Sequence, residues 1–378
     1  MDYTLIIPTF NRPSQLAALL AHLRRSSAHF PIIIIDSSAE EVREQNAVAI
    51  AASGLSISHK LFPESTTPQK KFAEGFRRVE TRYASLCPDD DIVFVAGLQA
   101  CVSAMKVDPT LAICDGPYLS FNPLPAHVDI RIEYDGPSID QDTPITRMSR
   151  RLAKFEAATY AVFRIGVARA VFEGCSELPS SMFWEMFTSL ASLAIGKHKR
   201  ISCAYMARRT GQAFESTERK RWHPLLWARQ DPEEMSDHFV IYMARLSEFI
   251  ANNPRGGVKW PDIAIDHQSF FKNGRVELTF SGTGAPQFSI RQQAILEQTL
   301  TNISNQRKRL VVKQGNLSGR LGFCLEIPTE TLADVSAYCA SSVYLVPVWK
   351  VARNCCYLVA SHPARVWRTY RSAASGST

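Results

Sequence analysis

The chain reads as an α/β protein on three observations. An apolar run, an amphipathic helix and a second apolar run succeed one another within the first 36 residues. Each apolar run ends in a polar turn. Three consecutive aspartates, Asp89-Asp90-Asp91, follow a further short apolar run, Tyr83 to Leu86. Adjacent like charges repel and are not buried unpaired, so a carboxylate cluster at the end of a sheet strand points to a bound divalent cation; a solvated acidic turn shares the pattern.

Taken in order, Tyr3 to Ile7 form the first strand, ended by Pro8-Thr9-Phe10-Asn11-Arg12-Pro13. Leu16, Leu19, Leu20 and Leu23 recur at i, i+3, i+4 and i+7, and Pro13 suits a first helical turn, so a helix follows. Phe30 to Asp36 is apolar enough for a strand buried on both faces. Such a βαβ unit sets the polar groups of its strand ends, Thr9, Asn11, Arg12 and Asp36, along one crevice. Beyond the triplet, Ile92 to Val95 is strand-like, and residues 106–150, rich in Pro, Asp and Gly, read as irregular connections. Ala157 to Arg164 reads as a strand. Ser181 to Ile195 reads as a helix with Phe183, Phe187, Leu190 and Ala194 on one face and Glu185 on another. Glu234 to Ile250 and Ile290 to Ser304 have helical composition, with Val276 to Phe280 a short strand between them.

The 378 residues exceed the usual size of one core, and 46% hydrophobic with 21% charged residues describes a soluble globular chain. Nine cysteines, odd in number and without a Cys-x-x-Cys pair, argue for reduced thiols in a cytoplasm. The chain runs directly into its first strand and no apolar run approaches a membrane span, so a cytoplasmic location is expected. Between Lys197 and Arg229 nine Lys or Arg face only Glu215 and Glu218, a basic segment suited to a diphosphate or an anionic acceptor. Aromatic residues are not interleaved there in any known reader pattern, which disfavours nucleic acid. Pro347 to Arg371 combines Trp349, Tyr357, Trp367 and Tyr370 with five basic and no acidic residues, a composition that suits the cytosolic face of an inner membrane or a packed C-terminal helix.

Four segments now carry a resemblance: Thr4 to Arg12, Ile34-Ile35-Asp36-Ser37-Ser38, Lys70-Lys71-Phe72-Ala73-Glu74-Gly75-Phe76, and the acidic triplet. In this order and spacing they resemble the opening half of a GT-A glycosyltransferase of the family 2 kind, over about the first 100 residues. The resemblance implies a Rossmann-like nucleotide-sugar-binding sandwich. Residues 1–105 would form its donor half, 106–229 its acceptor half, and 230–378 a mainly helical C-terminal accessory region. Pro8, Thr9, Asn11 and Arg12 would shape the nucleotide pocket, Asp36 would meet the base or ribose, and Lys70 or Lys71 would lie nearby. Asp89 and Asp91 would hold a Mg²⁺ or Mn²⁺ on the diphosphate, with Asp90 beside them; Asp90 and Asp91 form an alternative pair.

The implied catalytic base is Glu185, in Phe183-Trp184-Glu185-Met186, although the family's Glu-Asp pair is missing from that place. His223 is the candidate for a metal ligand from the far side of the pocket, and His198 the next. The implied activity is metal-assisted transfer of a sugar from a nucleotide donor to a hydroxyl of a glycan or lipid-linked acceptor, with inversion. A divalent ion fits that chemistry, because it neutralises charge that grows on a departing nucleoside diphosphate. Two other classes share the fold: a sugar-phosphate nucleotidyltransferase, which normally carries a glycine-rich loop where Pro8 to Pro13 has no glycine, and a noncatalytic glycan-binding protein.

Overall fold

A computed structural model describes residues 1–123, 128–134, 136–209, 227, 231–253, 309–313 and 316–318. The first half is β1 (Tyr3–Thr9), α1 (Pro13–Arg25), β2 (Ile32–Asp36), α2 (Glu40–Ser53), β3 (Ile57–Leu61), α3 (Pro68–Arg77), β4 (Tyr83–Leu86), β5 (Ile92–Val93), α4 (Val95–Val107) and β6 (Leu111–Asp115). There follow β7 (Tyr118–Pro123), β8 (Val128–Glu133), α5 (Pro144–Ala153), β9 (Val162–Arg164), α6 (Ile165–Gly174), α7 (Ser181–Ile195), β10 (Lys197–Arg200), β11 (Met206–Arg209), α8 (Pro232–Asn252), β12 (Arg309–Lys313) and β13 (Asn316–Ser318).

The apolar runs of β1, β2 and β4 are buried because they lie inside a seven-stranded sheet of order β10-β6-β9-β4-β1-β2-β3. Its strands are parallel except β9, which runs antiparallel to β4 and β6. From β1 the chain steps to β2 and β3 on one side and then returns to place β4 on the other. That reversal opens a crevice beyond the carboxyl ends of β1 and β4, where Thr9 and the acidic triplet emerge. A second sheet, β13-β12-β8-β7-β11-β5, crosses this end of the molecule. It approaches closely because Gly97 of α4 has no side chain: a Cβ there would lie 2.4 Å from the Ala204 carbonyl oxygen.

The helices stop and start on local signals, and arginines fasten three of their ends. Thr67, Thr143, Ser180 and Asp231 cap α3, α5, α7 and α8 with side-chain oxygens. Arg147 donates to the Leu193 carbonyl near the end of α7, Arg164 to Met105 at the end of α4, and Arg169 to Val79 just past α3. These bonds fix the helix ends around the sheet.

Several expectations are corrected. Residues 106–150 are not irregular: they hold β6, β7, β8 and α5. Their strands are short and broken by Asp-Gly-Pro turns, and pairing with distant strands rather than local periodicity makes them strands. Ile92 to Val95 is a strand for two residues only, and α4 begins at Val95. The strand anticipated from Ala157 shrinks to Val162–Arg164, because Ala158 to Ala161 close a turn through the Ala161 amide and Ala158 carbonyl. Beyond residue 230, α8 packs on α7. Tyr242 of α8 stacks on Phe183 of α7 at 5.1 Å between centroids, and Phe249 meets Phe187 edge-on at 5.4 Å.

The helix of 181–195 and that of 234–250 are present, the latter extended to Pro232–Asn252. Ile290 to Ser304, Val276 to Phe280 and Pro347 to Arg371 lie outside the described residues. Among the described residues no helix is long and apolar enough to cross a membrane, and the cysteines described are free thiols.

Candidate functional site

The crevice is built from strand ends. Thr9 closes β1 and donates its hydroxyl to Asp89 Oδ2 at 2.8 Å, so the first strand and the acidic loop are joined by a buried hydrogen bond. Pro8, half-buried, lies in register with Ile35. Asn11 turns the chain with φ of 53°, a conformation Asn tolerates. Its amide donates to Ser38 Oγ and its side chain accepts from the Ala39 amide, both at 2.9 Å. Asn11 therefore clasps the β1 loop to the β2 loop. Beside it Phe10 is exposed on the rim, 48% accessible although aromatic.

Asp36 has no accessible surface. Its Oδ1 accepts from the Ser38 amide at 2.8 Å, and its Oδ2 from Asn46 at 2.9 Å and His59 at 3.0 Å. Burial raises its pKa, but these hydrogen bonds outweigh burial and hold the carboxyl well below its usual range. A carboxylate with this set of donors shapes the pocket through His59 and the loop at Ser38 rather than by open contact. The two lysines separate. Lys71 is buried and donates to Ser37 Oγ at 2.6 Å and to the Thr9 carbonyl at 3.3 Å. Burial brings its pKa down to about 8 against the pull of Asp36 and Asp89. Lys70 points outward and pairs with Glu177 at 3.2 Å. It lies on the surface, so of the pair Lys71 is the one in the crevice floor.

The triplet divides its labour. Asp89 is buried, bonded through Oδ2 to Thr9 and through Oδ1 to Arg12 at 3.3 Å. Burial first, then the charge of Asp90, pushes its pKa up to about 7 against Arg12 and Thr9. Asp90 is the more open, with 17% of its side chain accessible against 4% for Asp89, and its Oδ2 meets Arg12 at 3.0 Å. Asp91 Oδ1 accepts from the Arg209 amide at 2.8 Å. Burial and then Asp90 push the Asp91 carboxyl well up, while Arg208 and that amide oppose. Asp90 Oδ1 and Asp91 Oδ2 carry no hydrogen bond among the described residues. Hard oxygens without a hydrogen bond, beside excess negative charge, fit a divalent cation that would take its remaining ligands from phosphate and water. No cluster of three or more His, Cys, Asp or Glu gathers as a metal cage among the described residues.

Across the crevice, Glu185 is half-buried on α7. Burial raises its pKa and Arg208 opposes that rise. Arg208, on β11, stacks its guanidinium over the Tyr160 ring at 5.7 Å. Burial pushes the Tyr160 phenol upward against Arg208, and the charges of Glu185, Asp91 and Asp90 add to the rise. Sequence reasoning does not assign Tyr160 or the Arg209 amide, and Arg208 enters there only as one of nine basic residues in a segment suited to a diphosphate or an anionic acceptor. The signal available was only a tyrosine before a strand and two arginines in a basic segment, because β11 reaches the triplet through pairing with β5, more than 100 residues distant.

His198 is not at the triplet. It is fully buried on β10, where Nε2 donates to Asp115 at 2.7 Å and Nδ1 accepts from Arg151 at 3.1 Å. That makes it part of a separate closed network and removes it as a metal candidate. His223 lies outside the described residues.

Residues 4–172 match the family model described as Glycosyl transferase family 2. No curated protein matches the chain. Among solved structures, S. aureus TarS 1-349 in complex with UDP-GlcNAc aligns at a TM-score of 0.50 with 13% identity, over 96% of this chain and 92% of that one. A longer S. aureus TarS chain aligns at 0.46 with 13% identity, over 81% of this chain and 49% of that one, so the chain spans about half of its length. The mannosyltransferase PcManGT from Pyrobaculum calidifontis, in complex with GDP-Man and Mn2+, aligns at 0.44 with 12% identity, over 97% and 87%.

Proposed function

We propose that the chain, whose residues 4–172 match the Glycosyl transferase family 2 model, is a glycosyltransferase of the GT-A type that moves a sugar from a nucleotide-sugar donor to a hydroxyl of a glycan or lipid-linked acceptor, with inversion. What carries the reading is the acidic loop at the sheet's switch point, tied to β1 through Thr9 and Arg12, with the charge of Glu185 acting on Tyr160 together with those of Asp90 and Asp91. The donor's base and ribose lie over the β1 and β2 loops, among Phe10, Ser38 and His59, with Thr9, Asn11 and Lys71 holding the floor. Arg12, bonded to Asp89 and Asp90, sets the angle of the acidic loop.

Asp90 and Asp91, each with an oxygen that carries no hydrogen bond among the described residues, would hold a Mg²⁺ or Mn²⁺, which would supply Lewis-acid neutralisation of the diphosphate. Asp89 is the ligand the sequence favoured, and its two oxygens are already engaged by Thr9 and Arg12. Glu185 takes the proton from the acceptor hydroxyl as that oxygen bonds to the anomeric carbon. The glycosidic electron pair leaves on the terminal phosphate oxygen of the nucleoside diphosphate, and a single displacement inverts the centre. The raised pKa of Glu185 suits a base that works near neutral pH.

A thermal-shift panel tests the reading, with UDP-GlcNAc, GDP-mannose and other sugar nucleotides, each with and without Mn²⁺. Stabilisation by one nucleotide class, strengthened by Mn²⁺ and followed by release of the nucleoside diphosphate, is expected. Stabilisation by a nucleoside triphosphate with a sugar 1-phosphate instead would establish the nucleotidyltransferase. Binding of glycan alone, with no nucleotide, would make it a noncatalytic binder.

A further inference from the structure

One helix meets the acidic segment twice. Arg12 stands at the N-cap of α1, and its guanidinium bonds Asp89 and Asp90. In the last turn of the same helix lies His22, which has no accessible surface and whose Nε2 is 2.9 Å from the Val93 carbonyl of β5. A carbonyl oxygen only accepts, so Nε2 carries a hydrogen and donates it.

Each partner of this bond needs the other. Leu16, Leu19, Leu20 and Leu23 bury one face of α1, and His22 is buried with them. A polar ring in such a setting costs free energy unless it is hydrogen-bonded. On the other side, β5 is the last strand of the second sheet and pairs with β11 alone, where Met206 lies opposite Val93 and the Phe94 amide donates to the Tyr205 carbonyl. Val93 is buried, so its carbonyl takes from the imidazole the hydrogen bond that a further strand would have given.

Asp91 lies between the two anchors, two residues before Val93, and its Oδ1 accepts from the Arg209 amide on β11. Arg12 restrains the acidic loop where it begins, and His22 restrains the strand into which it runs. A helix packed by its leucines is stiff along its axis, so α1 holds the carboxylates of Asp90 and Asp91 in a fixed relation to the end of β1 while both anchors are in place.

Resting on the glycosyltransferase reading, we propose that His22 is a positioning residue for the cation-binding carboxylates, which it sets in place through the Val93 carbonyl. Having no accessible surface, it touches neither donor nor ion. Its effect falls on the affinity for the ion and on the step the ion assists, and not on contacts to the base.

Electron paramagnetic resonance of Mn²⁺, titrated into the full chain with UDP and with GDP, reads the affinity of the site and the symmetry around the bound ion without turnover. His22→Leu fills the space but removes the donor, so Mn²⁺ should bind about three- to tenfold more weakly, the range of one net hydrogen bond, and with an altered signal. Binding of the nucleotide in EDTA should match the parent. His22→Gln, whose side-chain amide nitrogen can donate over a similar reach, should restore most of the affinity. Thr4→Val serves as control: it breaks a hydroxyl pair with Thr81 at 2.7 Å, near the start of β1, and should lower the urea midpoint without moving the Mn²⁺ affinity. If His22→Leu loses stability yet binds Mn²⁺ as the parent does, His22 is structural only, and the proposal is wrong while the glycosyltransferase reading stands. Equal weakness of His22→Gln and His22→Leu overturns it too, for then the hydrogen bond is not the agent. Should His22→Leu fail to fold, His22→Gln and His22→Asn carry the comparison: Asn is one methylene shorter, so weaker Mn²⁺ binding by Asn than by Gln supports the contact, and equal binding overturns it. A parent that binds Mn²⁺ with neither UDP nor GDP overturns the glycosyltransferase reading and the assignment together.

Discussion

Two clusters of charge lie beyond the sheet's strand ends, and they are made of the same residue types. At the end of β6, Asp115 accepts from His198 at 2.7 Å and pairs with Arg200 at 2.7 Å; Arg200 continues to Glu156 at 2.9 Å, and Arg151 joins His198 to the Glu156 carbonyl. Two carboxylates balance two guanidiniums around a neutral imidazole, and the Gly136 amide takes up Glu156 Oε1. At the end of β4, three carboxylates face Arg12 and Arg208, and oxygens of Asp90 and Asp91 remain open. The first cluster is buried and closed on itself through ion pairs, although Arg151 Nε keeps no hydrogen-bond partner among the described residues. The second keeps acidic oxygens without a hydrogen bond among the described residues, and such incompleteness in a crevice is what a ligand site requires.

The largest effect should come from the open cluster's far wall. Glu185→Gln keeps shape but cannot accept a proton, so transfer should fall by about 10² to 10⁴-fold while donor binding persists. Steady-state rates together with donor affinity check this, and equal loss of both would make Glu185 structural. Next, Asp115→Ala in the closed cluster should cost about 3–5 kcal/mol of stability, since it removes the buried carboxylate that pairs with Arg200 and accepts from His198. Urea unfolding reads it, and Asp90→Ala measured alongside should leave the midpoint nearly unchanged. A large loss for Asp90→Ala would erase the contrast between the clusters.

The reverse holds for metal. Asp90→Ala or Asp91→Ala should abolish the Mn²⁺-dependent part of donor binding, whereas Asp89→Asn should only weaken it through the loosened Arg12 and Thr9 contacts. Titration of Mn²⁺ against thermal stability at fixed donor decides between them, and a dominant Asp89 effect would restore the pair inferred from sequence.

The smallest effect is opposite pH dependence. Burial holds His198 below its ordinary value of 6.5 against the pull of Asp115. Its unfolded form therefore binds the proton first, and the stability it contributes, full above pH 6.5, is lost as pH falls, by at most about 1.4 kcal/mol per pH unit. Asp89, pushed up to about 7 from 3.8, behaves the other way: without divalent ions, stability declines as pH rises from about 4 to about 7. In EDTA, His198→Gln should therefore unfold less readily on acidification than the parent does, and Asp89→Asn more readily. Parallel curves for the two variants would refute the assignment of opposite signs.

The parts of this site that local sequence revealed are those whose signal is local. Thr9, Asn11 and Arg12 stand in a turn bounded by two prolines, and Asp89 to Asp91 follow a short apolar run, so their place at strand ends was legible. Glu185 sits opposite an apolar stripe that periodicity alone defines. The division of roles within the triplet was not legible, because it depends on which oxygens Thr9, Arg12 and the Arg209 amide engage. Nor was the outward turn of Lys70 against the burial of Lys71, neighbours on one helix whose fates differ by about 100° of rotation.

What the sequence by itself determined is the α/β class, the opening βαβ unit, α7 and the acidic loop, because hydrophobic period, proline punctuation and charge are carried by adjacent residues. Tertiary structure alone decided that residues 106–150 are largely strands and a helix, that α8 belongs to the core, and that Asp36 and His198 are sealed from the crevice. It also brought Arg208 and Tyr160 to the triplet. Sheet pairing joins β11 to β5 across more than 100 residues of chain, and no local pattern encodes which partner a strand will find.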